Sequence, residues 1–281
     1  MNTFALALTL LLAKISWSFY LGNWRADPEL LPSRFQGDIL RRPGKTNWWR
    51  NVITNESYHW PNRTVLYFIE EGTFDKPHLQ YVERAMRIIE NGSCVKFKKA
   101  SRDDKYFVNI TSHDTGCYCE IIGWRNDRIK VNLQLDSLDS GCFRMGSLKH
   151  ELLHVLGFEH QHVAQDRDEY VQIMWENIHP DHEINFWNNE TEIGWNNYGE
   201  TYDYGSVMHY MENAFAKDAS KPTIVALKKG ASKMGQRRGM SKTDLRKLNK
   251  MYQCPGYETT EPTEEPDVEN ITSSAQYTSE D

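Results

Sequence analysis

The sequence predicts an α+β fold on three observations. Residues 64–69 (Thr-Val-Leu-Tyr-Phe-Ile) are β-branched and aromatic, the composition of a strand. Between residues 76 and 91, Leu79, Val82, Met86 and Ile89 fall three and four positions apart and make one apolar helix face. Residues 145–157 read as a second helix, and this one carries a cluster of histidines.

The other elements follow in chain order. Asn91-Gly92 ends the first helix. Residues 95–98 and 107–111 read as short strands, and residues 130–135 alternate polar and apolar like a half-exposed strand. Residues 241–252 form a closing helix with Leu245 and Leu248 turned inward. With 39 % hydrophobic and 12 % aromatic residues the chain has enough apolar material for a core.

The two ends differ from the middle. Residues 4–13 are an apolar run too short to span a bilayer but suited to a signal peptide. Ser16 and Ser18 fit the small positions before a cleavage site, so residues 1–18 are expected to be removed; an uncleaved anchor is the competing reading. Residues 255–281 are rich in Thr, Ser, Glu and Pro, cannot bury enough apolar area to fold, and are expected to be disordered. That tail holds eight acidic residues and no Lys or Arg, so removing it takes the net charge from -6 to about +2. Nothing in this distribution is the footprint of a nucleic-acid binder.

The central motif is His150-Glu151-Leu152-Leu153-His154. On a helix, positions i and i+4 lie one above the other, so both imidazoles reach one metal ion with the glutamate beside them. Gly157 can adopt a positive φ, end the helix and turn the chain so that His160 supplies a third nitrogen. Three histidines leave one position of a zinc ion for water, a catalytic rather than a closed structural arrangement. The bland alternative is three histidines that merely pack in a core. The metal-site reading implies peptide hydrolysis with Glu151 as general base. Six N-x-S/T sequons (Asn55, Asn62, Asn91, Asn109, Asn189, Asn270) and five cysteines fit a secreted glycoprotein in an oxidising compartment.

The long histidine pattern followed by Met208, in Ser206-Val207-Met208-His209-Tyr210, is the metzincin signature. Asp166-Arg167-Asp168 and the Met208-x-Tyr210 pair make residues 51–254 resemble the astacin branch. The resemblance implies a two-lobed catalytic domain. Its N-terminal lobe would hold a twisted, mostly parallel or mixed sheet and the active-site helix. Its C-terminal lobe would be irregular apart from the closing helix. It also implies a monomeric secreted endopeptidase acting on proteins or peptides, with one Zn²⁺ per chain on His150, His154 and His160 and no membrane partner. Met208 would floor the site, and Tyr210 would stabilise the oxyanion. Disulfides would join Cys94 to Cys254 and Cys142 to Cys117, with Cys119 possible in place of Cys117.

The same resemblance divides the chain into a signal (1–18), a propeptide (19–50), a peptidase domain (51–254) and a tail (255–281), with no accessory domain. Phe35-Gln36-Gly37-Asp38 resembles the family's zymogen motif, in which Asp38 would occupy the water position on zinc; a Gly-Asp surface turn is the plainer reading. Arg41-Arg42, Lys45 and Arg50 are possible cleavage points, and cleavage is expected at Arg50-Asn51, which sets Trp60 where the family has an early tryptophan. An edge strand before the active-site helix pairs with substrate in astacins; residues 130–135 are either that strand or an interior one. Arg237 and Arg238 lie in the region that in several astacins supplies basic residues to the pocket after the scissile bond; the resemblance implies acidic substrate side chains, unless the two arginines are simply solvated. The chain departs from the family at Gln161, where a glutamate usually meets the mature N-terminus. A neutral partner predicts weaker dependence on N-terminal trimming. A catalytically silent zinc-binding interaction protein is the alternative function, and a third reading puts the function in the acidic tail.

Overall fold

The computed structural model describes residues 24–40, 56–188 and 197–257. The expected signal peptide, the Arg50-Asn51 bond, the sequons at Asn55, Asn189 and Asn270, and the tail from residue 258 lie outside the described residues. No described helix is long and apolar enough to cross a membrane.

The first lobe is built on a five-stranded sheet. Its strands are β1 (Thr64–Phe68), β2 (Lys96–Lys99), β3 (Phe107–Thr111), β4 (Cys117–Cys119) and β5 (Arg128–Leu133), in the order β2-β1-β3-β5-β4. All neighbours are parallel except β4, which runs antiparallel to β5. Helix α1 (Lys76–Gly92) starts where the Asp75 side chain accepts from the His78 amide. It buries Val82, Ala85, Met86 and Ile89, so the spacing seen in the sequence is the packing face. Helix α2 (Met145–Leu156) is buried from Gly146 to Leu156, as a helix between two lobes must be.

The second lobe has little regular structure. Strands β6 (Val171–Ile173) and β7 (Ile224–Ala226) form a small antiparallel pair, and helix α3 (Lys242–Met251) closes the domain. The described residues form two apolar cores. One joins the sheet, α1 and α2 to Val207, Met208 and Leu248. The other gathers Tyr210, Phe215, Ile224 and their neighbours, together with Trp24 and Leu30 from the N-terminal segment. A Cys94–Cys254 disulfide ties the end of α3 to the start of β2, and Cys117–Cys142 ties β4 to the approach of α2. Cys119 is a buried free thiol.

One expectation is corrected. The strand read at residues 130–135 spans Arg128–Leu133 and lies inside the sheet, bonded to β3 and β4. Ile129, Val131, Asn132 and Leu133 are all buried, whereas Leu135 is 54 % exposed beyond the strand's end. The edge strand on that side of the sheet is β4.

Candidate metal centre

Helix α2 carries His150, Glu151 and His154 on its buried length. It ends at Gly157, whose φ of 110° is left-handed and whose amide bonds back to His154 O. A Cβ there would meet only the flexible end of the Met251 side chain, at 2.5 Å, so it is the backbone angle that demands glycine. The turn brings His160 back to the first two histidines. Ring centroids are 4.7 Å apart for His150–His154 and His154–His160, and 5.2 Å for His150–His160.

Each histidine is oriented by the nitrogen that faces away from the centre. His150 Nδ1 donates to Val207 O at 2.8 Å, and His154 Nδ1 to Phe158 O at 2.7 Å. His160 Nδ1 donates to Gln36 Oε1 at 2.8 Å. A proton fixed on Nδ1 leaves the Nε2 lone pair free to ligate. Burial lowers the His160 pKa to about 4, which favours the neutral ring that a metal requires.

The fourth group comes from the N-terminal segment. Asp38 Oδ2 lies 2.9 Å from His150 Nε2 and 3.1 Å from His160 Nε2, and Oδ1 lies 3.6 Å from His154 Nε2. One ligand atom from each of these four buried residues lies within 4.8 Å of all the others. Three imidazoles and a carboxylate are a donor set that suits zinc. Asp38 gets there on a tight turn in which Phe35 and Ile39 pair across it. Gly37 has φ 78°, and a Cβ on it would sit 2.6 Å from Glu29 O. The segment then joins the sheet edge: Cys119 N donates to Asp38 O at 2.8 Å and Leu40 N to Cys119 O at 3.0 Å.

Around this centre lie groups without an obvious structural task. No described residue bonds either carboxylate oxygen of Glu151 or the hydroxyl of Tyr210, and both side chains are buried. Burial, with the carboxylates of Asp38 and Glu29 nearby, pushes the Glu151 pKa well above the ordinary range. The Tyr210 ring stacks on His162 with centroids 3.7 Å apart and lies 4.9 Å from His160. Met208 is buried, and its carbonyl accepts from the Gln161 amide at 3.0 Å. Gln161 Oε1 accepts from Lys247 Nζ at 2.9 Å, so the side chain in the family's glutamate position already has a cationic partner.

Arg237 is brought to the cleft and Arg238 is not. Arg237 Nε donates to Glu29, whose side chain is fully buried, while Arg238 stays exposed. Arg144 reaches Asp27 at 3.0 Å and Glu29 at 3.4 Å. Sequence reasoning missed Asp27, Glu29, Arg144 and His162. Isolated charges in irregular segments carry no spacing signal, and His162 is overshadowed by the ligand triplet beside it.

The astacin peptidase family profile matches residues 52–253. The chain is an astacin. Seminal metalloprotease 1 of Drosophila melanogaster is 53 % identical over 232 residues, covering 82 % of this chain and 91 % of that one. Zinc metalloproteinase nas-4 of Caenorhabditis elegans is 35 % identical, covering 84 % of this chain and 74 % of that one. Among solved structures, High choriolytic enzyme 1, a hatching enzyme zinc-protease from Oryzias latipes, superposes with a TM-score of 0.63 at 31 % identity. That match covers 73 % of this chain and all of the other. This astacin is therefore a zinc metalloendopeptidase, and its His₃Asp cluster is consistent with one zinc ion.

Proposed function

We propose that this astacin is a secreted endopeptidase made as a zymogen. His150, His154 and His160 hold the zinc, Glu151 is the general base, and Asp38 closes the site until the segment ending near Arg50 is removed. The observation that carries the reading is the convergence of three Nδ1-locked imidazoles and one carboxylate from the N-terminal segment on a single buried point.

Bound zinc supplies Lewis-acid chemistry that lowers the pKa of a water molecule to about 7. Glu151 takes the proton of the attacking water on a carboxylate oxygen and passes it to the departing amine. The unpartnered state of both its oxygens leaves them ready for that traffic. Tyr210 donates its hydroxyl to the oxygen where negative charge develops. Its pKa is raised well above normal by burial, so it stays a donor at neutral pH.

Substrate takes the place of the N-terminal segment. The free backbone groups of β4 hold an extended peptide once Asp38 and Leu40 leave Cys119. Departure of Asp27 and Glu29 leaves Arg144 and Arg237 without their carboxylates, and the pair then selects an acidic side chain. The likeness to a seminal metalloprotease of the fly supports action in a reproductive fluid. Incubating the full chain with a trypsin-like protease tests the proposal. A product beginning at or near Asn51 should gain chelator-sensitive activity on peptides carrying Asp or Glu; a cleaved, zinc-loaded chain without activity would overturn it.

A further inference from the structure

The last helix bears on the metal site from behind. Ser241 and Asp244 form a capping box at the start of α3: Ser241 Oγ accepts from Asp244 N at 2.9 Å, and Asp244 Oδ2 accepts from Ser241 N at 2.9 Å. A capping carboxylate on a protein surface would end its bonding there. Asp244 is fully buried and goes further. Its Oδ1 accepts from Ser206 Oγ at 2.6 Å and its Oδ2 from Val207 N at 2.9 Å. Ser206 Oγ in turn accepts from Met208 N at 3.1 Å. The carbonyl of the clamped residue, Val207, is the one that accepts from His150 Nδ1.

One turn along α3, the buried Lys247 donates to Gln161 Oε1, directly beside His160. The Gln161 amide bonds to Met208 O, which closes a ring between the two clamped segments. The helix is itself anchored, through Asn249 Nδ2 to Gly92 O at 2.8 Å and through the Cys94–Cys254 disulfide.

We propose that Asp244 is a positioning residue for zinc, acting through Val207 on His150, with Lys247 bracing the His160 side through Gln161. The proposal rests on the His₃ zinc site argued above. Three donors on one buried carboxylate hold residues 206–207 in a single conformation, and that conformation aims the Val207 carbonyl at His150 Nδ1. An imidazole whose second nitrogen loses its acceptor binds metal less tightly, by roughly 10- to 100-fold.

The test compares two substitutions in the full chain, both of which break the same capping box. Asp244→Ala removes the clamp on residues 206–207, and Ser241→Ala leaves it. Zinc affinity is measured by competition with a chromophoric chelator, and the melting temperature of the metal-free chain is recorded beside it. Asp244→Ala is expected to weaken zinc binding by about 10-fold or more. Ser241→Ala is expected to lower the melting temperature but to keep zinc affinity within about twofold of the parent. If Asp244→Ala does not fold, Ser206→Ala, which removes the Oδ1 partner and the acceptor of the Met208 amide but keeps Val207 N on Oδ2, is read instead and should also weaken zinc binding. Unchanged zinc affinity in a folded Asp244→Ala or Ser206→Ala chain overturns the proposal. So does an equal loss in Ser241→Ala, which would make the effect one of helix stability alone. A parent chain that binds no zinc would instead refute the His₃ site itself.

Discussion

Asp38 Oδ2 stands 2.9 Å from His150 Nε2, although the two residues are 112 positions apart in the chain. Under the proposed mechanism, that contact puts the N-terminal segment where the attacking water would sit. Asp38→Ala should therefore raise the activity of the uncleaved chain, on the order of 10-fold above the parent zymogen, by letting the site open part of the time. Continuous hydrolysis of a quenched peptide before any activating cleavage is the measurement. An uncleaved variant as silent as its parent would remove Asp38 from the inhibitory role.

Arg237 and Glu29 predict specificity. The carboxylate of Glu29 is held well below its usual range, to about 2: burial opposes ionisation, but the charges on Arg237, His150 and Arg144, with a hydrogen bond from Ser147, together outweigh it. A substrate carboxylate in the same place should be favoured for the same reason. Arg237→Met should cut kcat/KM for an acidic peptide roughly 10-fold or more while sparing its amide counterpart. Equal losses on both peptides would show that Arg237 serves structure rather than selection.

Tyr210 should act in the transition state. Removing one donor to a developing oxyanion costs about 10²- to 10³-fold in kcat. Tyr210→Phe keeps the ring stacked on His162 and deletes only the hydroxyl, so KM should change little. A raised KM with kcat intact would assign the hydroxyl to ground-state binding.

His209 predicts a pH dependence of stability. Burial lowers its pKa to about 4, and it sits between Tyr202 OH and the Tyr210 carbonyl. The unfolded chain binds a proton near 6.5 that the folded chain refuses until about 4. Stability from this residue is thus present above about 6.5 and lost as pH falls towards 4, by on the order of 3 kcal/mol. Urea unfolding of the parent and of His209→Asn across that window checks it. The variant, less stable throughout, should show a shallower acid decline; identical slopes would contradict the assignment.

The histidine cluster was legible because its geometry is local: three ligands and a turn glycine within residues 150–160. The first helix was legible through periodicity, and the four longer strands of the main sheet through composition or alternation. The three-residue β4 escaped because Cys-Tyr-Cys is too short for any alternation to register. Without it, residues 130–135 can be read as an edge strand, when β4 covers the flank of β5. Glu29 and Arg237 meet across 208 positions, and Asp244 and Ser206 across 38. Such pairs depend on how irregular segments fold over one another, which no local pattern encodes.

The central claim is hydrolysis by zinc-activated water with Glu151 as the base. The most direct measurement is peptide cleavage by the activated chain and by Glu151→Gln, each with its zinc content determined. The account predicts that the variant keeps its zinc but loses at least ~10²-fold in kcat. A zinc-loaded Glu151→Gln chain that turns over like the parent would contradict it.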